Sequence, residues 1–223
     1  MFKPQAMVFD MDGVLVDGEK VWLDVYEEGE FLTSIAPDWS PEHKQDLIGL
    51  SVPALHRLLC DRFGVTLSLE HFRQYYNEVG REIYAERTVL MPKVQKTLSG
   101  LRQRDIPLGL ASNSPREWID ITLERFELKP CFAAVVSGEE VARGKPAPDI
   151  YLEVVGRLGK RPRFCWAVED TDIGVKVAKQ AGLYTIGYRS EHNHNHEQEL
   201  DHADQILYDL SALLTGTSNR SKK

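Results

Sequence analysis

Two aspartates one residue apart close the first apolar run of the chain, in Ala6-Met7-Val8-Phe9-Asp10-Met11-Asp12-Gly13-Val14-Leu15-Val16-Asp17. Met7 to Phe9 reads as a strand buried in a parallel sheet, where apolar residues run without alternation. Carboxylates seldom stand beside a core without a partner. In open α/β sheets ligands sit in the crevice past the carboxyl ends of the strands, so Asp10 and Asp12 fall where chemistry would be done. A plain turn at Asp12-Gly13, with Asp10 as a cap or turn residue, accounts for the same letters. Three further polar sets stand at strand ends or in adjoining loops: Ser112 with Asn113, Lys145, and Glu169 with Asp170. Singly each has an ordinary reading: Ser112, Asn113 or Asp170 could cap a helix, and Lys145 could be a surface charge. Their shared placement is what singles them out.

The elements that must position these residues follow from the pattern. Apolar runs at 107–111, 133–136, 164–168 and 184–187 alternate with helical segments at 92–104, 116–126, 149–158 and 173–181, which implies an α/β fold with a parallel sheet covered on both faces. Between the first strand and the rest, residues 18–87 are helical throughout. Trp22, Val25, Tyr26 and Phe31 can share an apolar face, as can Leu55, Leu58, Leu59 and Phe63, and Phe72, Tyr75, Tyr76, Val79 and Ile83. Ser40 and Ser68 are candidate helix caps. The expected division is therefore a core of residues 1–17 and 88–215, a helical insert of 18–87, and a disordered tail of 216–223. Residues 203–214 should return as a short strand and helix. The loop holding His192, His194, His196 and His202 reads as solvated rather than as a metal site, because it has neither cysteine nor a second cluster.

With 223 residues, 42% of them hydrophobic, the chain can bury a core without staples. A net charge of -7 gives no overall attraction for nucleic acid or an anionic membrane, so a small substrate is the expectation. The 3 cysteines, Cys60, Cys131 and Cys165, lack metal-type spacing and read as reduced thiols of a cytoplasmic protein. Neither a signal peptide nor a membrane span is expected, and a monomer is the default.

Taken together, the four polar sets resemble the haloacid dehalogenase superfamily, in the group with a helical cap inserted after the first motif that includes β-phosphoglucomutase and many sugar phosphate phosphatases. The resemblance runs from Asp10 to about Leu210 and includes the long matches Asp10 to Asp17 and Gly144-Lys145-Pro146-Ala147-Pro148-Asp149. It implies a Rossmann-like three-layer core, an all-helical cap that closes over the site, and a Mg2+-dependent phosphatase acting on a small phosphorylated metabolite. By the family's pattern the metal ligands are the Asp10 carboxylate, the Asp12 backbone carbonyl and the Asp170 carboxylate, with Glu169 orienting metal-bound water or ligating directly. Asp10 is the implied nucleophile, giving an aspartyl phosphate, and Asp12 the implied acid and base. Ser112, the Asn113 amide and Lys145 would hold the phosphate. Charge agrees with that assignment: a phosphate monoester with two carboxylates carries about -4, and Mg2+ with Lys145 returns about +3.

The chain also departs from its relatives. Mutases of the group carry a histidine in a His-x-x-Ala-Trp stretch and a cap arginine after Gly-x-Ser; here the stretches are Gly18-Glu19-Lys20-Val21-Trp22 and Gly49-Leu50-Ser51-Val52. Simple hydrolysis is favoured over the alternatives, a phosphosugar mutase or a non-enzymatic phospho-acceptor or regulatory protein. Gly18 stands where Ser or Thr is commoner, and Lys93 where Gly usually follows Pro92. Glu19 reads equally as a substrate contact and as the first-turn acid of a helix. Which of Glu19, Trp22, Leu50, His56 and Arg116 face a pocket is open at this stage.

Overall fold

A computed structural model describes residues 3–28, 30–47, 52–192 and 199–215. His194, His196, Gly49, Leu50, Ser51 and the tail 216–223 lie outside the described residues. The chain divides into two compact units, one of the residues up to Asp17 together with those from Val89 onward, the other Gly18–Thr88.

In chain order, β1 (Ala6–Phe9) opens the first unit. The second unit holds α1 (Gly18–Glu28), the short α2 (Glu30–Thr33), a 3-10 helix at Pro41–Leu47, α3 (Val52–Phe63) and α4 (Leu69–Glu82). α4 runs on into a π-helical turn, Ile83–Arg87, closed by Thr88 N donating to Ile83 O at 3.1 Å. The first unit resumes with α5 (Val94–Arg102), β2 (Leu108–Ser112), α6 (Arg116–Arg125), β3 (Ala134–Ser137), α7 (Asp149–Arg157), β4 (Cys165–Glu169), α8 (Asp172–Gln180), β5 (Tyr184–Tyr188) and β6 (Gln205–Leu207). After β6 the helix expected near the end is a 3-10 turn, Leu210–Leu214, begun by Asp209 Oδ1 accepting from Ser211 N at 2.9 Å.

The six strands form one parallel sheet in the order β3-β2-β1-β4-β5-β6. β1 lies inside it and every residue of β1, β2 and β4 is buried, which is why those runs carry no polar alternation. α7 packs on β1, β2 and β3, and α8 on β4 and β5. Tyr151 and Val154 of α7 and Val177 and Ala178 of α8 join Val8, Ala111, Val136 and Ala167 in one core. The chain builds outward from β1 to β3, then returns to the other side of β1 with β4. That reversal of direction is a switch point, where the connections leaving neighbouring strands turn to opposite faces of the sheet and ligands sit past the strands' carboxyl ends.

The segment after β1 is pinned. Leu15 N and Val16 N both donate to Met11 O, and Gly13 N donates to Val16 O at 2.7 Å. Val16 then pairs antiparallel with Leu90. Asp17 N reaches Val89 O at 3.2 Å, and Val89 N returns a bond to Asp17 Oδ1 at 2.7 Å.

Aromatic packing dominates the second unit. Trp22 stacks on Tyr76 with ring centres 4.6 Å apart, and Phe31 on Tyr75 at 5.2 Å. Leu55, Leu59 and Phe63 are buried along α3, while Leu58 is only half-buried. Ser68 caps α4 by accepting from His71 N. Arg87 grips Glu28 through both terminal nitrogens, at 2.9 and 2.8 Å.

Candidate active site

Register brings the acidic residues together. Phe9 pairs with Val168 across the β1–β4 ladder, and Asp10 N donates to Val168 O at 3.0 Å, so Asp10 and Glu169 follow side by side as the strands end. Asp170 is the next residue. One carboxylate oxygen from each of Asp10, Glu169 and Asp170 lies within 4.8 Å of the others. The three are almost wholly covered, at 8%, 2% and 2% exposure.

Lys145 arrives from the loop before α7 and stands between two of them. Its Nζ donates to Asp10 Oδ1 at 2.6 Å and to Glu169 Oε1 at 2.5 Å. Asn113 fixes that loop from both directions, its Nδ2 donating to Lys145 O at 3.0 Å and its Oδ1 accepting from Lys145 N at 2.8 Å. The Asn113 side chain is thus a brace for Lys145. Ser112 ends β2, buried, with its Oγ accepting from Ser114 N at 3.1 Å. Gly13 has φ +73, and a Cβ there would fall 1.9 Å from Asp170 Oδ2, so the turn after β1 can approach Asp170 only as glycine.

Two residues of the cluster escaped the sequence reading. Ser114 Oγ donates to Asp12 Oδ2 at 2.8 Å, while Ser137 Oγ donates to Ser114 O at 2.7 Å and holds the turn. Tyr151, fully buried on α7, donates its hydroxyl to Glu169 Oε1, the oxygen that also receives Lys145. The Lys145 Nζ stands 5.2 Å from the centre of the Tyr151 ring. Glu169, which the resemblance makes either an orienter of metal-bound water or a direct ligand, accepts from both Tyr151 and Lys145 at one oxygen.

The electrostatics follow from burial. Desolvation pushes the Asp10 carboxyl well up; the Lys145 ammonium pulls it down, and Glu169 and Asp12 push it up again. Lys145 would lose its proton more readily for being buried, yet Asp10 and Glu169 outweigh that and hold it well above the ordinary lysine value. With its three carboxylates ionised, the cluster carries two more negative charges than the one ammonium offsets. An all-oxygen donor set with that surplus fits a hard divalent cation.

Other sequence candidates have local partners. His56 Nε2 lies 2.8 Å from Leu67 O, and its ring packs on Phe72. Arg116 is spent on Asp120 and Glu140, at 3.0 and 2.9 Å. Of the histidine loop, His202 Nδ1 lies 2.8 Å from Asp172 Oδ1 and His192 Nε2 3.8 Å from Glu191. Among the described residues no helix is long and apolar enough to cross a membrane.

A doubly wound sheet with buried charges gathered past its innermost strands places the protein among α/β proteins that work at the carboxyl edge of the sheet. More narrowly, the chain belongs to the haloacid dehalogenase-like hydrolases, whose family model matches residues 4–182. It is 32% identical over 186 residues to a phosphorylated carbohydrates phosphatase of Thermotoga maritima, covering 82% of this chain and 83% of that relative. To hexitol phosphatase B of Escherichia coli it is 29% identical over 194 residues, covering 81% and 82%. The solved structure of CbbY from Rhodobacter sphaeroides in complex with phosphate matches with a TM-score of 0.80, covering 95% of this chain and 96% of that one. At 23% identity that likeness is one of fold.

Proposed function

We propose that the protein is a Mg2+-dependent phosphatase of small phosphomonoesters, sugar phosphates foremost, working through an aspartyl phosphate on Asp10. The observation that carries the reading is the Lys145 ammonium shared between Asp10 and Glu169 beside Asp170, at the end of β1 and β4. A phosphomonoester brings close to two negative charges, so a carboxylate can approach it only where positive charge is already fixed in place. Lys145 supplies one such charge. Asp10 and Asp170, with the Asp12 carbonyl, would hold the cation, which when bound offsets phosphate charge and favours an ionised Asp10.

In this reading Asp10 attacks phosphorus in line, and the bond to the departing alcohol breaks as the new one forms. Asp12 gives that alcohol its proton, then takes one from the water that cleaves the aspartyl phosphate and releases inorganic phosphate. The Ser114 hydroxyl fixes which way Asp12 faces. Ser112 Oγ and the Asn113 amide bind phosphate oxygens, and Lys145 opposes charge as it develops. The substrate class comes from the relatives, which act on phosphorylated carbohydrates and hexitols by name.

The test is phosphate release from p-nitrophenyl phosphate and from a panel of sugar phosphates, with Mg2+ and with excess chelator. Turnover should need the cation and vanish in Asp10→Asn. Turnover that survives chelation, or an Asp10→Asn variant of full activity, refutes the proposal.

A further inference from the structure

Glu169 Oε1 accepts two donors, the Lys145 ammonium and the Tyr151 hydroxyl. Those bonds continue through Lys145 to Asp10, so Tyr151, Glu169, Lys145 and Asp10 form one unbroken line. From this we infer that Tyr151 is a positioning residue of the phosphoryl-transfer reaction, its hydroxyl fixing the Glu169 carboxylate and thereby the place of Lys145 against Asp10. The inference rests on the phosphatase reading above and adds to it a residue that touches neither substrate nor cation.

Three observations separate Tyr151 from an ordinary core aromatic. A phenylalanine would fill the same space among Ile150, Val154 and Val155 of α7, so packing does not call for the hydroxyl. A tyrosine hydroxyl buried beside a carboxylate has one strong partner, and here it takes it. The ring, moreover, lies within cation–π range of the same ammonium, so the phenol steadies Lys145 by its face and through Glu169 by its edge. The opposite wall is closed too: a Cβ at Gly174 would meet both Glu169 oxygens, at 2.2 and 2.4 Å, so the carboxylate lies against the α8 backbone.

Glu169 competes with Asp10 for Lys145. While the hydroxyl also feeds Glu169 Oε1, part of that oxygen's demand is met elsewhere and the ammonium stays shared. Without the hydroxyl, Glu169 draws Lys145 toward itself, and the positive charge beside Asp10 weakens where phosphate charge must be offset.

Tyr151→Phe keeps the ring and removes only the bond. Phosphate release by the parent protein is measured first, and its failure would remove the phosphatase reading rather than test Tyr151. Given an active parent, kcat of Tyr151→Phe should fall roughly tenfold, the scale of one hydrogen bond to a charged group. KM for p-nitrophenyl phosphate should stay within about threefold, because the ring and the phosphate-binding groups remain. Mg2+ binding by calorimetry, without substrate, should tighten at least roughly threefold, because an Asp10 carboxylate that shares less of Lys145 has more charge to offer the cation. A merely structural role lowers the melting temperature and leaves kcat and cation affinity at parental values; that result overturns the inference. The parent chain gives a second route. With 3-fluorotyrosine at position 151, the 19F resonance should shift as Mg2+ is added, and a resonance that does not move also overturns it.

Discussion

Gly13→Ala tests whether the turn after β1 sets the position of Asp170. An added Cβ would lie 1.9 Å from Asp170 Oδ2, whereas ordinary contact begins near 3.4 Å, so the carboxylate must retreat by about 1.5 Å. Asp170 is 2% exposed and has little space to retreat into. Two costs follow. The left-handed backbone at φ +73 strains any side chain by roughly 1–2 kcal/mol, a loss of a few degrees in Tm for a chain of this size. Misplacing a catalytic group by about 1 Å costs on the order of 100-fold in rate. Gly159→Ala separates the two, because Gly159 has φ +64 and nothing within 4 Å of its Cβ position. Both variants should melt a few degrees below the parent, while kcat for phosphate release should fall about 100-fold in Gly13→Ala alone. A Gly13→Ala enzyme within fivefold of parental kcat would show that Asp170's position does not govern turnover.

Further expectations concern stability in the first unit. Burial pushes the Asp204 carboxyl up, but Lys179 at 2.6 Å, Thr185 N at 2.8 Å and Thr185 Oγ1 at 2.9 Å outweigh it and hold it below the usual carboxylate range. A carboxyl so lowered adds stability above its unfolded pKa and loses it as pH falls through the folded one. Asp204→Asn should therefore cost about 1–2 kcal/mol at pH 7 and progressively less below about pH 4; urea melts showing a constant gap at both pH values would contradict this. Lys93 sits at φ +65 and pairs with Asp209 on the surface. Relief of left-handed strain outweighs an exposed ion pair worth about 0.2–1 kcal/mol, so Lys93→Gly should equal or exceed the parent in urea midpoint and Lys93→Ala should fall below it. An alanine variant as stable as the glycine variant would remove the strain from the explanation.

The strands were legible because a parallel sheet covered on both faces demands unbroken apolar runs, and 6–9, 108–112 and 165–169 supply them with polar residues at their ends. Helix type was less so. The 3-10 turns at 41–47 and 210–214 and the π-helical turn at 83–87 depend on how the chain is tied at its ends, which periodicity does not encode. Lys93 was visible as an oddity after Pro92, and φ +65 gives the reason that glycine suits the position. Ser114 and Tyr151 could not be found that way. Ser114 meets Asp12 only because β2 neighbours β1, a contact across 102 residues of chain, and Tyr151 matches the apolar stripe of α7 so well that nothing in its spacing marks the hydroxyl as used.

What joins the distant motifs is register, and register is set by apolar residues that carry no chemistry. Ala6↔Cys165 through Phe9↔Val168 is a ladder of small and large buried side chains, and its last rung decides that Asp10 stands beside Glu169. Sliding β1 by one residue would set Asp10 beside Val168 or Asp170 and turn every β1 side chain to the other face. Val8 would then leave the side of the sheet on which it packs with Ala111, Tyr151 and Ala167. The core enforces the pairing because a slip would cost buried area along the whole strand, far more than any contact within the acidic cluster could return. The cluster holds like charges close together, so it cannot hold itself in place. Its position is inherited from the apolar strand that precedes it, which is why the residues before Asp10 matter to its chemistry as much as those that touch it.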